Sequence, residues 1–231
     1  MSRSLASVML LIITLGCQSM RAKKSSDFIE PLAGQIISSE AKHKTPKSER
    51  ELCIQTAKAV AERGHFTEAI ALYEQAEKLD RDLPALDREL ANLYAQAEQF
   101  DLAVNRYRLA IEKLPKDADL RNNLAWTLLE SNRLDQAIQV IDESLQQFPQ
   151  NRRLQSTRAI ASYHAGDRQA AIQQFTSLYG PSAAHHNVAL LDVESGNQQN
   201  ALTAIEHAMV GAPTTQTIQL ASAIKNSQQN D

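Results

Sequence analysis

Cysteine, catalytic motifs, excess basic charge and long apolar runs are all scarce in this 231-residue chain. Its two cysteines, Cys17 and Cys53, form no CxxC pair. The six histidines, His43, His65, His164, His185, His186 and His207, show no metal-ligand spacing of the HExxH kind. His185 and His186 are adjacent, and neighbours on a helix point about 100° apart, so they close on one metal only with help from elsewhere, such as His164. A solvated pair is the default reading. No glycine-rich phosphate loop, GxSxG elbow or pair of catalytic carboxylates can be placed. These absences argue against an enzyme and call for no cofactor. Lys and Arg total 24 against 27 Asp and Glu, a net charge of −3, which leaves no electrostatic footprint for nucleic acid. The apolar run Leu5 to Leu15 has 11 residues, short of the roughly 20 that span a membrane.

What the chain does have is a period. Ala69, Ala103, Ala137, Ala171 and Ala201 recur at intervals of 34, 34, 34 and 30 residues, each inside a helical pattern. A period of this length marks a helix-turn-helix unit that cannot bury its apolar face alone and must stack on copies of itself. The fold class that follows is all-α. In the cleanest copy, Pro84 to Asp117, Leu90, Ala91 and Tyr94 pack the first helix and Phe100 follows the turn. Ala103, Tyr107 and Ala110 face inward from the second helix, which Pro115 ends. Small residues at the Ala91 and Ala103 places admit close approach of two helices, and aromatics fill the gap left at each end. The next copy, Ala118 to Asn151, repeats this with Leu124, Ala125, Leu128, Leu134, Ala137 and Pro149, but has Ile141 for the aromatic and Ser144 for an alanine. Looser copies start at Arg50, Arg152 and about Ser182. The interval of 30 between the last two, where the chain reads Leu178-Tyr179-Gly180-Pro181, predicts a second helix about one turn short. Beyond Pro213, the apolar Ile218, Leu220, Ala221 and Ile224 in a polar setting predict a terminal capping helix.

On these aligned positions the chain resembles the tetratricopeptide-repeat family, with every landmark of that family but the early tryptophan present in Pro84 to Asp117. The resemblance implies a right-handed α-solenoid of about five repeats, near 50–83, 84–117, 118–151, 152–181 and 182–213, with a cap at 214–226 and a tail at 227–231. In such arrays the first helix of each repeat lines a concave groove that holds a protein or peptide. The inner-face places fall here on Arg88, Asn92 and Gln96, on Asn122, Trp126 and Glu130, on Arg153, Ile160, Tyr163 and His164, and on His186, Leu190 and Glu194. Trp126, the single tryptophan, is read either as an aromatic anchor in that groove or as packed against a neighbouring helix. Arg88, Asn92, Asn123 and Arg153 match in type and register the family's carboxylate clamp for a peptide C-terminus, where Arg and Asn donors fix a carboxylate. The further cation of that clamp maps to Thr157, and ordinary groove polarity is the alternative. Stacking of a cell-wall glycan on Trp126 and Tyr163 is a second reading of the same surface.

The first sixteen residues read as a signal: Arg3 is a short positive head, the run to Leu15 follows, and Leu15-Gly16-Cys17 closes it. This resembles a bacterial lipoprotein signal, although Thr14 stands where leucine is commonest. The resemblance implies cleavage before Cys17, acylation of its thiol by diacylglycerol and fatty acid, and a lipid-anchored protein of the bacterial cell envelope. Gln18, rather than the aspartate that retains such proteins at the inner membrane, favours the outer membrane. Loss of Arg3 with the signal takes the charge from −3 to −4. With Cys17 acylated, Cys53 has no disulfide partner and is read as a small buried hydrophobe. Residues 17–49 form a polar tether whose lysines and arginines either touch anionic head groups or stay solvated. A lipid anchor joined to tetratricopeptide repeats resembles the lipoproteins of tight-adherence and type IV pilus assembly, which implies an envelope scaffold; self-association through the ends or groove of the array is a further reading. A periplasmic adaptor without an anchor is the alternative.

Overall fold

A computed structural model describes residues 48–80, 85–210 and 213–228, and among these residues there are eleven α-helices and no strand. The signal and most of the tether, with Cys17 in it, lie outside the described residues. No helix of the described residues is long and apolar enough to cross a membrane. In chain order the helices are α1 (Glu49–Glu62), α2 (Phe66–Leu79), α3 (Asp87–Gln96), α4 (Phe100–Lys113), α5 (Ala118–Glu130), α6 (Leu134–Gln147), α7 (Arg152–His164), α8 (Arg168–Tyr179), α9 (Pro181–Glu194), α10 (Gln198–Ala208) and α11 (Thr215–Gln228). They fall into two compact units that divide between Arg106 and Tyr107.

In both units a small residue recurs where two helices meet. Ala57 and Ala69, Ala91 and Ala103 in the first unit, and Ala125 and Ala137, Ala159 and Ala171, Ala189 and Ala201 in the second, are all 0% exposed. A methyl group at each place lets helix backbones approach closely, and the large buried residues Tyr73, Ile141, Phe175 and Ile205 close the space beside them. Ser144, at an alanine's place, spends its hydroxyl on the carbonyl of Val140 and is buried without an orphaned donor. Cys53 is buried on α1, its thiol unpaired.

The turn inside each repeat is one motif used five times. Gly64, Glu98, Asn132, Gly166 and Gly196 all have φ between 58° and 87°. After each comes a long backbone bond back into the helix, such as Asp167 N–H to the Ser162 carbonyl at 3.0 Å and Gln99 N–H to the Tyr94 carbonyl at 2.8 Å. This is the glycine-type helix stop, in which a left-handed residue lets the following N–H cap the last turn. Asp117 and Asn151, 34 residues apart, then start α5 and α7 in the same way, each side-chain oxygen accepting two backbone N–H groups.

The interval of 30 is only partly a shortened helix. α8 has 12 residues against 14 in α6, and the remaining loss falls in the connector, which shrinks to Gly180 alone, while α9 gains a residue. Gly180 ends α8 and precedes Pro181 at the start of α9, with φ 86° and ψ 167°, a conformation open to glycine and little else. The expected loss of a full helical turn is thus corrected to about half a turn. The capping helix is present, but its buried stripe runs Thr217, Leu220, Ala221, Ile224, and Ile218 is 47% exposed. The stripe packs on Leu190, Ala201, Ala204, Ile205 and Ala208.

Glu98 is a side-chain-bearing residue in the left-handed region, where glycine is free of the steric cost. Glu98→Gly is expected to raise stability by about 0.5–1 kcal/mol, and Glu98→Ala, which keeps the strain, to change it little. Thermal unfolding of the three proteins side by side checks this.

Candidate functional site

The first helices of the second unit, α5, α7 and α9, form a surface. α5 packs on α7, and two side-chain bonds join them: Arg153 Nη1 to Asp119 Oδ1 at 2.7 Å, and Thr157 Oγ1 donating to Asn122 Oδ1 at 2.8 Å. α9 is tied to α7 by the Tyr163 hydroxyl, which donates to Asp192 Oδ1 at 2.8 Å. The residues named from the sequence as inner-face groups divide on this surface. Trp126, Glu130, Arg153, His164, Glu194 and Asn123 are half-buried, whereas Asn122, Ile160, Tyr163, His186 and Leu190 are buried. Asn122 accepts from Thr157, and Tyr163 is 8% exposed with its hydroxyl held by Asp192. In the first unit, Arg88 and Asn92 sit half-buried on α3 and Gln96 is exposed. The clamp residues are therefore shared between the two units, Arg88 and Asn92 in one, Asn123 and Arg153 in the other.

Glu130, His164 and Glu194 hold the same place in three successive repeats, and Trp126 lies four residues before Glu130 on the same side of α5. Trp126 Nε1, His164 Nε2 and Glu194 Oε1 are buried atoms with no hydrogen-bond partner among the described residues. Burial, and then the charge of Glu130, pushes the Glu194 carboxyl from its ordinary 4.5 up to about 7. Burial lowers the imidazoles of His164 and His186. His185 is lowered by burial and then by His207 and Arg168; its ring stacks on that of His207 with centroids 4.9 Å apart.

A second constellation was not legible in the sequence. Asp192, 0% exposed, accepts from Arg168 Nη2 at 2.7 Å, from Arg168 Nε at 3.1 Å and from Tyr163. It stands at a cleft of about 360 Å³ lined by Tyr163, His164, Arg168 and Asn197. The partners are 24 and 29 residues from Asp192, spacings without any periodic signal. In the first unit, Arg106 plays a comparable part, bridging Glu77 at 2.8 Å and the buried Asp87 at 2.8 Å. Both are ion pairs that hold helices in place. Among the described residues no group of three or more His, Cys, Asp or Glu side chains is placed to hold a metal ion.

With this geometry in hand, comparison places the chain among known proteins. A tetratricopeptide-repeat family model matches residues 95–161. Protein FlbA of Caulobacter vibrioides is 31% identical over 153 residues, which cover 63% of this chain and 25% of FlbA; the match thus spans about a quarter of that protein's length. A tetratricopeptide-repeat protein from Parabacteroides merdae superposes with a TM-score of 0.57 at 16% identity, covering 78% of this chain and 73% of its own. PilF of Pseudomonas aeruginosa gives a TM-score of 0.51 at 19% identity, over 78% of this chain and 85% of its own. Residues 95–161 match the tetratricopeptide-repeat family, and the all-α fold is that of tetratricopeptide-repeat proteins, a class that binds proteins or peptides.

Removing the charge on Asp192 leaves Arg168, itself about one-third exposed, to find water instead. Asp192→Asn is expected to cost about 2 kcal/mol, a fall in Tm of roughly 4–8 °C, read by thermal unfolding. Glu194 gives a pH signature. Its folded value lies above its unfolded one, so the stability it lends is complete below about 4.5 and is lost as pH rises through about 7. Glu194→Gln is therefore expected to match the parent near pH 4.5 and to exceed it increasingly up to pH 8 in chemical denaturation. A constant difference across that range would show that the carboxyl does not titrate there.

Proposed function

We propose that the protein is a lipid-anchored interaction scaffold of the bacterial envelope, and that the α5, α7 and α9 surface binds a segment of a partner protein. The observation that carries the binding surface is Trp126: half-buried on a first helix, with an indole N–H that has no hydrogen-bond partner among the described residues. A buried donor without an acceptor costs on the order of 1–3 kcal/mol, a cost that a bound main-chain carbonyl removes. An amphipathic ring with one polar atom to satisfy has the character of an interface anchor. The anchor rests on Leu15-Gly16-Cys17 after an apolar run, and the outer-membrane setting on Gln18. Acyl chains contribute about 0.8 kcal/mol per buried methylene, so several on Cys17 hold a protein at a bilayer without a spanning helix. Pilus or secretion-system assembly is the setting supported by a lipidation motif joined to an array of repeats.

The test combines lipid labelling with site-directed crosslinking in the native host. A palmitate analogue is expected to label the parent protein and send it to the membrane fraction, and Cys17→Ser to lose both. A photoreactive phenylalanine in place of Trp126 is expected to trap one dominant envelope protein, and the same group at the exposed Gln136 on α6 to trap none of it. Absence of label in the parent would leave a periplasmic adaptor without an anchor. Equal capture from both positions would remove the groove from the reading.

A further inference from the structure

Which part of a partner the α5, α7 and α9 surface can hold follows from its cations and its unpaired polar atoms. The three helices contain no lysine, and α9 has no arginine either. Their arginines are engaged. Arg121 donates to the Pro115 carbonyl, Arg152 to the Leu178 carbonyl on α8, and Arg158 to Asp142 on α6, so all three reach groups outside the three helices. Arg153 alone turns to a group within them, and that group is the carboxylate of Asp119 at 2.7 Å. An exposed pair of this kind adds little stability, but it leaves no net positive charge there. The unpaired atoms are of a different kind. Trp126 Nε1, His164 Nε2 and His186 Nδ1 are buried and have no partner among the described residues. An indole can only donate, and a neutral imidazole, the form that burial favours in both histidines, has one donor and one bare acceptor. Peptide groups supply both complements in every residue, and each of these atoms needs only one of them.

We propose that this surface takes an internal, extended segment of its partner and grips it by main-chain amides, one carbonyl accepting from Trp126 Nε1, without selecting a chain terminus or a charged side chain. This rests on the reading of the surface as the binding groove, and it names which part of the partner enters. A terminal carboxylate finds no cation to meet it: Arg153 faces Asp119, and Thr157, at the place of a clamp's further cation, donates to Asn122 at 2.8 Å. Taking a carboxylate out of water without a countercharge is costly. A main-chain carbonyl gives up a bond to water and regains one from the indole, whose own unmet donor is satisfied in the same step. The segment is extended because a helix already spends its carbonyls within itself, except over its last turn.

The experiment selects ligands for the full-length chain, purified in detergent, from a displayed library of random 12-residue peptides. Enriched tryptophan-free sequences are synthesised with free and with blocked ends and titrated by the fluorescence of Trp126, the chain's single tryptophan. Blocking the ends is expected to change the affinity by less than about twofold, and so is raising the salt from about 0.05 to about 0.5 M. An alkene in place of one particular peptide bond, which deletes its carbonyl and N–H, should weaken binding by about fivefold to tenfold. Trp126→Phe, measured by calorimetry, should cost a similar factor, and the two changes together little beyond either alone, as a shared contact requires. Matching thermal melts of the parent and Trp126→Phe establish that the variant is folded, and the alkene series tests the contact in the unaltered protein. Loss of affinity on blocking the C-terminus, a Lys, Arg, Asp or Glu at one fixed place whose neutral replacement abolishes binding, or an alkene series with no sensitive position would each overturn main-chain recognition and leave the groove standing. If no selected peptide perturbs Trp126, the groove reading falls and this inference with it.

Discussion

Close approach of helix backbones at fully buried alanines is the constraint on which the rest depends. Ten of these alanines have no exposed surface, in five pairs, one from each helix of a repeat. A larger side chain at any of them would hold the helices apart and misplace the residues that fill the neighbouring space, a strain that costs typically 1–3 kcal/mol in a packed core. The pairs leave the first helices of the second unit side by side, and that proximity lets Asn122 reach Thr157 and Tyr163 reach Asp192. The left-handed turn residues serve the same end, because a helix hairpin this tight closes only if the first helix stops at one residue and the chain reverses at once.

Packing that is periodic and steric is legible in a sequence, and packing that depends on which neighbour covers a side chain is not. The alanine places, the turn positions and the order of helices follow from the repeat, and the structure contains all of them. The capping helix shows the limit. Hydropathy ranks Ile218 above Thr217, yet Leu220, Ala221 and Ile224 set the rotation of α11, and with them inward Thr217 lies on the buried stripe and Ile218 off it. The inner-face residues divide for a related reason. A place on the first helix specifies a direction, but whether a group meets solvent depends on the reach of the side chains on the next helix. Asn122 is covered and bonded by Thr157, at the place where a clamp would carry a cation, and Tyr163 turns its hydroxyl to Asp192. Arg168 and Asp192 leave no periodic trace, since their pairing arises only when the two turns near them have their final conformation.

Asp192 and Glu194, two residues apart on α9, show two treatments of a carboxylate taken out of water. Asp192 is wholly buried and receives donors from Arg168 and Tyr163, so its desolvation is offset inside the fold. Glu194 is less buried, yet one of its oxygens is without a donor among the described residues, and the charge of Glu130 acts on it. Arg168 is spent on the first, and burial, then repulsion from Glu130, raises the second to about 7. A group poised in this way is cheap to keep in the free protein, because at neutral pH it need not carry a full charge. Asp192, with its donors supplied from within, belongs to the framework that holds the surface in place.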